Sequence, residues 1–197
     1  MRLRRRKNLT GRMEEAAHYF MREHAPGDYP CIVELGCGMG RFACETAAAR
    51  SGAFIIGIER EQNAIIIGME RAMRESLQNI RFIPEDVCKL ADFFKAGSID
   101  ELYIHFCDPW PHRKQAPRRL VSRGFLQLYR PLLAPGGFLR FKTDNAPLFE
   151  FAQMELAAEG WTVTHCDADS PPEGIITDYE MKFRGLGVAI CALTANK

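Results

Sequence analysis

The segment Val33-Glu34-Leu35-Gly36-Cys37-Gly38-Met39-Gly40 constrains the fold of this chain most. An apolar run at 31–35 leads into it, and a helical pattern follows from Arg41. A strand that ends in closely spaced glycines and turns into a helix opens a parallel α/β unit. The glycines let the backbone approach a ligand and let the helix pack close to the strand. Their spacing is Gly-x-Gly-x-Gly, whereas a dinucleotide-binding turn needs Gly-x-Gly-x-x-Gly and position 41 is Arg.

Six further short β-branched or aromatic runs follow, at 54–58, 80–84, 99–106, 137–143, 161–166 and 188–194. Helical patterns alternate with them at 41–50, 61–76, 90–94, 122–133 and 146–159, with an extra helix expected at 12–24. Such alternation predicts a parallel sheet covered by helices on both faces. The tail breaks the pattern, because Ser170-Pro171-Pro172-Glu173-Gly174 reads as a loop. A last strand entering after so long an excursion can run antiparallel. The expected fold class is α/β, with a seven-stranded, mostly parallel sheet and one antiparallel strand. The chain, at 197 residues, is read as a single domain with a basic arm over 1–12.

Acids stand at successive strand ends. Glu34 precedes the first glycine, Glu59 ends the second run, Asp86 the third and Asp108 the fourth. A carboxylate at Glu34 disfavours a pyrophosphate and favours a ligand with an amino group or a positive charge. S-adenosylmethionine carries both, as an ammonium and a sulfonium. An acid about 20 residues beyond the glycines can accept the hydroxyl hydrogens of a ribose, which suits Glu59. Asp86 beside the Val87 amide suits an adenine amino group. Each acid taken alone also fits a helix cap or a turn; four in register are harder to explain that way.

Asp108-Pro109-Trp110-Pro111 leads into a run that carries His112, Arg113, Lys114, Arg118 and Arg119 without an acid. Together with the arginines near the N-terminus it forms the second of two basic blocks. The net charge is only +1, so distribution matters more than the sum, and local basic patches suit a polyanion. A solvated basic turn is the alternative. Seven cysteines form no Cys-x-x-Cys pair, so small buried thiols are expected and no metal site. No apolar stretch approaches the roughly 20 residues that span a bilayer, and the basic N-terminus has no apolar segment behind it. Cytoplasm is the expected compartment.

Glu34 with Gly36, Gly38 and Gly40, followed by Glu59, resembles the cofactor site of Rossmann-like S-adenosylmethionine methyltransferases. Three narrower motifs resemble bacterial tRNA (guanine-N7-)-methyltransferases. They are Asp108-Pro109-Trp110-Pro111 with Arg118-Arg119-Leu120, then Phe141-Lys142-Thr143-Asp144-Asn145, then Thr177-x-Tyr179-Glu180-x-Lys182-Phe183. The likeness covers essentially the whole chain. It implies a three-layer Rossmann-like fold, S-adenosylmethionine as cofactor and tRNA as partner. The implied reaction is methylation of N7 of guanine-46 in the variable loop. By the same resemblance Glu34, Gly36, Gly38, Gly40, Glu59, Asp86, Val87 and Asp108 hold the cofactor. His112, Asp144, Thr177, Asp178, Tyr179 and Glu180 meet the substrate, and Arg113, Lys114, Arg118 and Arg119 meet RNA. Asp108 and Asp144 are the expected catalytic pair. The family usually has Lys where this chain has His112, and Lys114 is the candidate substitute.

Guanine N7 offers a lone pair and bears no proton, so in-line methyl transfer needs no general base. Carboxylates at Asp144 and Glu180 would favour the cationic product. For Asp144 the competing reading is the N-cap of the following helix, and for Glu180 a surface acid beside Lys182. Trp110 fits either a stacking or a plugging role. A methyltransferase for a small molecule or a protein, a non-catalytic RNA-binding module and a nicotinamide oxidoreductase are the competing functions. Whether the chain is a monomer or a homodimer stays open.

Overall fold

The computed structural model describes residues 7–22, 24 and 27–197. Most of the basic arm, with Arg2, Arg4, Arg5 and Arg6, lies outside the described residues. The chain divides into two compact units, Met1–Phe94 and Lys95–Lys197.

The first unit holds three parallel strands, β1 (Cys31–Leu35), β2 (Phe54–Ile58) and β3 (Ile80–Ile83), in the order β3-β2-β1. Val33 of β1 pairs with Ile56 of β2, which pairs with Arg81 of β3. All five residues of β1 are buried, as expected of a strand covered on both faces. Helix α1 (Leu9–Glu15) comes first, and α2 (Arg41–Ala49) and α3 (Gln62–Arg74) connect the strands. Ile55, Ile58, Ile65, Ile66, Met69 and Phe82 form the core of this unit.

The single helix expected at 12–24 is instead α1 followed by a short 3-10 turn, Ala17–Tyr19. The reason lies at the edge of the sheet. Phe20 turns extended and bridges Phe82 in parallel, and the Met21 amide donates to the Phe82 carbonyl at 3.0 Å. Strand β3 would otherwise leave its outer backbone groups unpaired. The basic arm also ends earlier than expected, since the chain is helical from Leu9 and the Arg12 guanidinium forks onto Glu70 of α3 at 2.5 and 2.6 Å.

Gly40 fixes how α2 meets α3. Its φ is +70°, and a Cβ there would stand 2.8 Å from the Gly68 Cα. Gly40→Ala therefore incurs both a left-handed backbone and a clash with main chain. It should cost about 2–4 kcal/mol, read as a lower urea midpoint at unchanged slope. A loss below 1 kcal/mol would show that the two helices can part without penalty.

The second unit holds β4 (Ile99–His105), β5 (Leu133–Thr143), β6 (Thr162–Asp167) and β7 (Cys191–Asn196), in the order β4-β5-β7-β6. Strands β4 and β5 are parallel, and β7 runs antiparallel to both β5 and β6. The last strand is thus the reversed one, as the long excursion before it predicts. Helices α4 (Arg123–Tyr129), α5 (Ala146–Ala158) and α6 (Asp178–Gly185) complete the unit. Helix α4 is shorter than the expected 122–133 because Pro131 has no amide hydrogen with which to continue the helical ladder, although Arg130 before it keeps helical backbone. The pattern at 90–94 is a 3-10 turn, Val87–Asp92, belonging to the first unit.

Helix α6 was not expected. Its N-cap is Thr177, whose hydroxyl accepts from the Glu180 amide at 3.0 Å, and acids fill the first turn while Lys182 and Arg184 fill the last. Thr177-x-x-Glu180 has the spacing of a capping box, the local signal that announces a helix start.

Candidate active site

The first unit gathers one set of predicted residues at the C-terminal ends of its strands. Gly36, Gly38 and Gly40 all have positive φ, at 68°, 54° and 70°, a conformation that residues with a Cβ adopt at a cost. A Cβ on Gly38 would meet nothing within 4 Å, so the loop faces open space at its middle glycine. The Gly38 amide donates to Glu59 Oε2 at 3.2 Å, and the Glu61 amide donates to Oε1 at 2.9 Å. Glu59 is therefore clamped between the loop and the start of α3, with lone pairs remaining on each oxygen for further donors. Glu34 lies beneath, 3% exposed, opposite Gly57 of β2.

Cys37 reports the potential in this loop. Burial pushes its thiol well above the ordinary range, and the Glu34 and Glu59 carboxylates push it further. Burial disfavours charge of either sign, so it is the smaller contribution of the two carboxylates that suits a cationic ligand. Asp86 follows β3 and caps the turn Val87–Asp92. The Cys88 amide donates to its Oδ1 at 3.0 Å, and Arg60 stands 3.4 Å from Oδ2. The bonds from Cys88, with Arg60 adding less, hold the Asp86 carboxyl below the usual range. Val87 is buried. The cap does not exhaust Asp86, because one cap bond leaves acceptor capacity on both oxygens.

The second unit gathers the other set. Phe106 and Trp110 both adopt left-handed backbone, at φ 51° and 41°, and bracket Cys107, Asp108 and Pro109. For bulky aromatic residues this conformation is an outlier and marks stored strain. The Phe106 amide donates to the Lys142 carbonyl at 2.9 Å. Its ring stacks against Tyr179 and Phe183 of α6, with centroids 6.2 and 6.1 Å apart. Asp108 is exposed. Burial, and then Asp108, push the neighbouring Cys107 thiol up to about 12.

The basic run splits into two groups. His112, Arg113 and Lys114 are exposed, at the start of a 3-10 turn, Arg113–Arg118. Arg119 is committed to the loop itself. It donates to the Pro109 and Trp110 carbonyls, each at 3.0 Å, and its guanidinium lies 4.3 Å from the Phe151 ring centre. Arg118 lies over Trp110 at 4.2 Å. Arg119, expected on RNA, thus holds the Asp108 turn, and the Trp110 ring is already stacked on one face.

Asp144 directly follows β5 and is half-buried. The N-cap of α5 is Asn145, whose Oδ1 accepts from the Leu148 amide at 2.8 Å. The competing cap reading for Asp144 is thereby removed. Among the described residues, Asp144 makes no hydrogen bond or ion pair.

Glu180 departs from the surface-acid reading. It is only 1% exposed, so it is no surface acid. Its carboxylate is met by two cations. Lys142 Nζ lies 3.2 and 3.0 Å from its two oxygens, and Arg184 donates to Oε1 at 3.0 and 2.7 Å. Arg184 also donates to the Ser170 carbonyl at 2.7 Å. Around this anchor Thr177 and Asp178 are half-buried, and Tyr179 is 50% exposed. Lys142, Arg184 and Phe106 were assigned no role in advance. The available signal was Lys142 itself, a cation that follows Arg140 in a strand where the two alternate with the apolar Leu139 and Phe141.

Among the described residues, no group of three or more His, Cys, Asp or Glu could hold a metal ion, and no helix is long and apolar enough to cross a membrane. Residues 28–193 match a family model described as "Putative methyltransferase". The tRNA (guanine-N(7)-)-methyltransferase of Staphylococcus carnosus is 35% identical over 180 residues, covering 89% of this chain and 85% of its own. That of Lactococcus lactis subsp. cremoris (strain MG1363) is 33% identical over 212 residues, covering 100% and 98%. Among solved structures, the 16S rRNA (adenine(1408)-N(1))-methyltransferase of Catenulisporales acidiphilia, solved as a variant with its cosubstrate SAM, superposes with a TM-score of 0.63. It is 17% identical and covers 97% of this chain and 92% of its own. The fold is the expected Rossmann-like methyltransferase fold.

Proposed function

The chain belongs to the tRNA (guanine-N(7)-)-methyltransferases, and from that membership we propose that it transfers a methyl group from S-adenosylmethionine to N7 of guanine-46 in tRNA. Both units would serve one catalytic domain. The observation that carries the cofactor half is the bond from the Gly38 amide to Glu59, within a loop where negative charge is disfavoured. The residues present fit the cofactor. Gly38 leaves open space where a Cβ would stand, Glu59 keeps acceptor capacity for ribose hydroxyls, and Asp86 with Val87 suits the adenine. Glu34 suits the ammonium, and Asp108 completes the set of acids. When bound, S-adenosylmethionine supplies an electrophilic methyl on a sulfonium.

The remaining work falls to positioning and charge. No residue has to take a proton, because N7 bears none. Asp144 has a carboxylate free of capping duty, which can accept hydrogen bonds from the guanine N1–H and amino group. That recognises the base while leaving N7 open, whereas an Arg paired to O6 and N7 would cover the reacting atom. As positive charge moves onto the purine, a carboxylate at its edge stabilises the product side selectively. Thr177, Asp178 and Tyr179 border the base, and Glu180 holds their helix in place through Lys142 and Arg184. His112, Arg113 and Lys114 meet phosphates, while Arg118 and Arg119 shape the loop they approach.

Incubation with labelled S-adenosylmethionine and unmodified tRNA, followed by nucleoside analysis, should yield 7-methylguanosine. The product should vanish when guanine-46 is replaced by adenine. Label in another nucleoside, or none in tRNA, would overturn the reading.

A further inference from the structure

A cleft of about 430 Å³ opens in the first unit beside the edge of β3. Ala17, His18, Phe20 and Met21 line it, with Arg22, His24, Phe54 and Arg81 completing the wall. Phe54 is the first residue of β2, whereas Glu59 lies just past the other end of that strand. Five residues of extended chain separate the two positions by roughly 16 Å. The cleft is thus distinct from the cofactor loop, and nothing in the reaction described above uses it.

Its chemistry is uniform. Among the described residues, two arginines and two histidines line it and no acid does. Arg22, His18 and His24 are exposed. The Arg81 guanidinium is fixed in advance. Its Nη1 donates to the Ile80 carbonyl at 2.6 Å and the Gln78 carbonyl at 3.0 Å, and the group lies 5.8 Å from the Phe54 ring centre. A guanidinium held this way binds a further acceptor with little loss of side-chain freedom. Phe20 and Phe54 are half-buried and give the cleft apolar rings beside its cations. Cations next to aromatic faces are the makings of a site for a polynucleotide backbone. The floor is firm, since Met21 and Phe20 are tied to Phe82 of β3.

We propose that this cleft is a second docking point for the phosphodiester backbone of the tRNA substrate, remote from the base that is methylated. The proposal rests on the tRNA reading above. It gives the first unit a share in RNA binding beyond its share in holding the cofactor. A backbone contact there adds affinity without reading sequence.

The test measures binding of unmodified tRNA to the full chain across a salt series, for the unaltered protein, for Arg22→Glu combined with His18→Ala, and for Arg74→Glu. Arg74 is an exposed residue at the end of α3, outside the cleft. The cleft variant should bind tRNA about tenfold more weakly, and its plot of log affinity against log salt should be shallower by about 1. KM for tRNA should rise to match while kcat at saturating tRNA stays unchanged, and the thermal unfolding curve should not move. Unchanged affinity and slope would overturn the proposal. So would an equal loss for Arg74→Glu, which would mean diffuse attraction, or a free mononucleotide competing tRNA out of the cleft at micromolar concentration. If the unaltered protein makes no 7-methylguanosine, the tRNA reading itself fails, a result separable from all of these.

Discussion

Asp144→Ala is expected to lower the rate of tRNA methylation by two to three orders of magnitude, while binding of S-adenosylmethionine stays within about twofold. The size follows from removing one preorganised charged group aimed at developing charge, about 2.7–4 kcal/mol of barrier. The direction follows from the geometry, since Asn145 and not Asp144 caps α5. Removing Asp144 therefore leaves the helix start intact, and folding stability should change by less than about 1 kcal/mol. Asp144→Asn keeps the shape and one acceptor but loses the charge, so it should retain more guanine affinity than rate. Single-turnover measurements with saturating tRNA separate the two. If Asp144→Ala turns over at the unaltered rate, the charge on the purine is met by another group and the assignment to Asp144 is wrong.

Glu180→Ala should be the most destabilising single change among the residues discussed. It removes the counter-charge of Lys142, which is itself 3% exposed, and leaves that cation buried. Breaking a buried pair from one side costs about 3–5 kcal/mol. Arg184 would lose its carboxylate as well, so α6 should detach locally. Amide exchange over Asp178–Gly185 should accelerate before the rest of the unit responds. Converting both partners, Lys142→Met with Glu180→Leu, should recover part of the stability, because the buried cation is removed with its carboxylate and only the partly exposed Arg184 loses its partner. It should not recover activity if α6 must present Tyr179 and Thr177 in register. A loss of under 1 kcal/mol in Glu180→Ala would mean that water already reaches Lys142.

These two sites differ in how far the sequence reveals them. The glycine loop, Glu59 and Asp86 lie at the ends of consecutive parallel strands, so a correct alternation of runs brings them together automatically. Asp144 is legible in the same way, as the residue after a strand. The Lys142–Glu180 pair is not, because its partners stand 38 residues apart. Their meeting depends on a helix that follows a proline-rich loop. The helix was signalled locally by Thr177 and Glu180 but outweighed by the loop composition around it. The bend at Phe20 depends on an edge strand that the chain forms about 60 residues later, which no local pattern carries. Nor does periodicity disclose Arg119 as a clamp, since a basic residue in a basic run looks like its neighbours until its acceptors, the Pro109 and Trp110 carbonyls, are placed.

The left-handed backbone at Phe106 and Trp110 bears on how this protein could be improved. Such residues cost of order 1–3 kcal/mol each, so a selection for thermostability would favour glycine or asparagine at both. Each replacement would remove an aromatic ring from the turn that carries Asp108: at 106 the ring that meets α6, at 110 the ring under Arg118. Variants ranked by melting temperature and variants ranked by turnover should therefore sort in opposite order at these two positions. A library meant to harden the protein should leave them untouched.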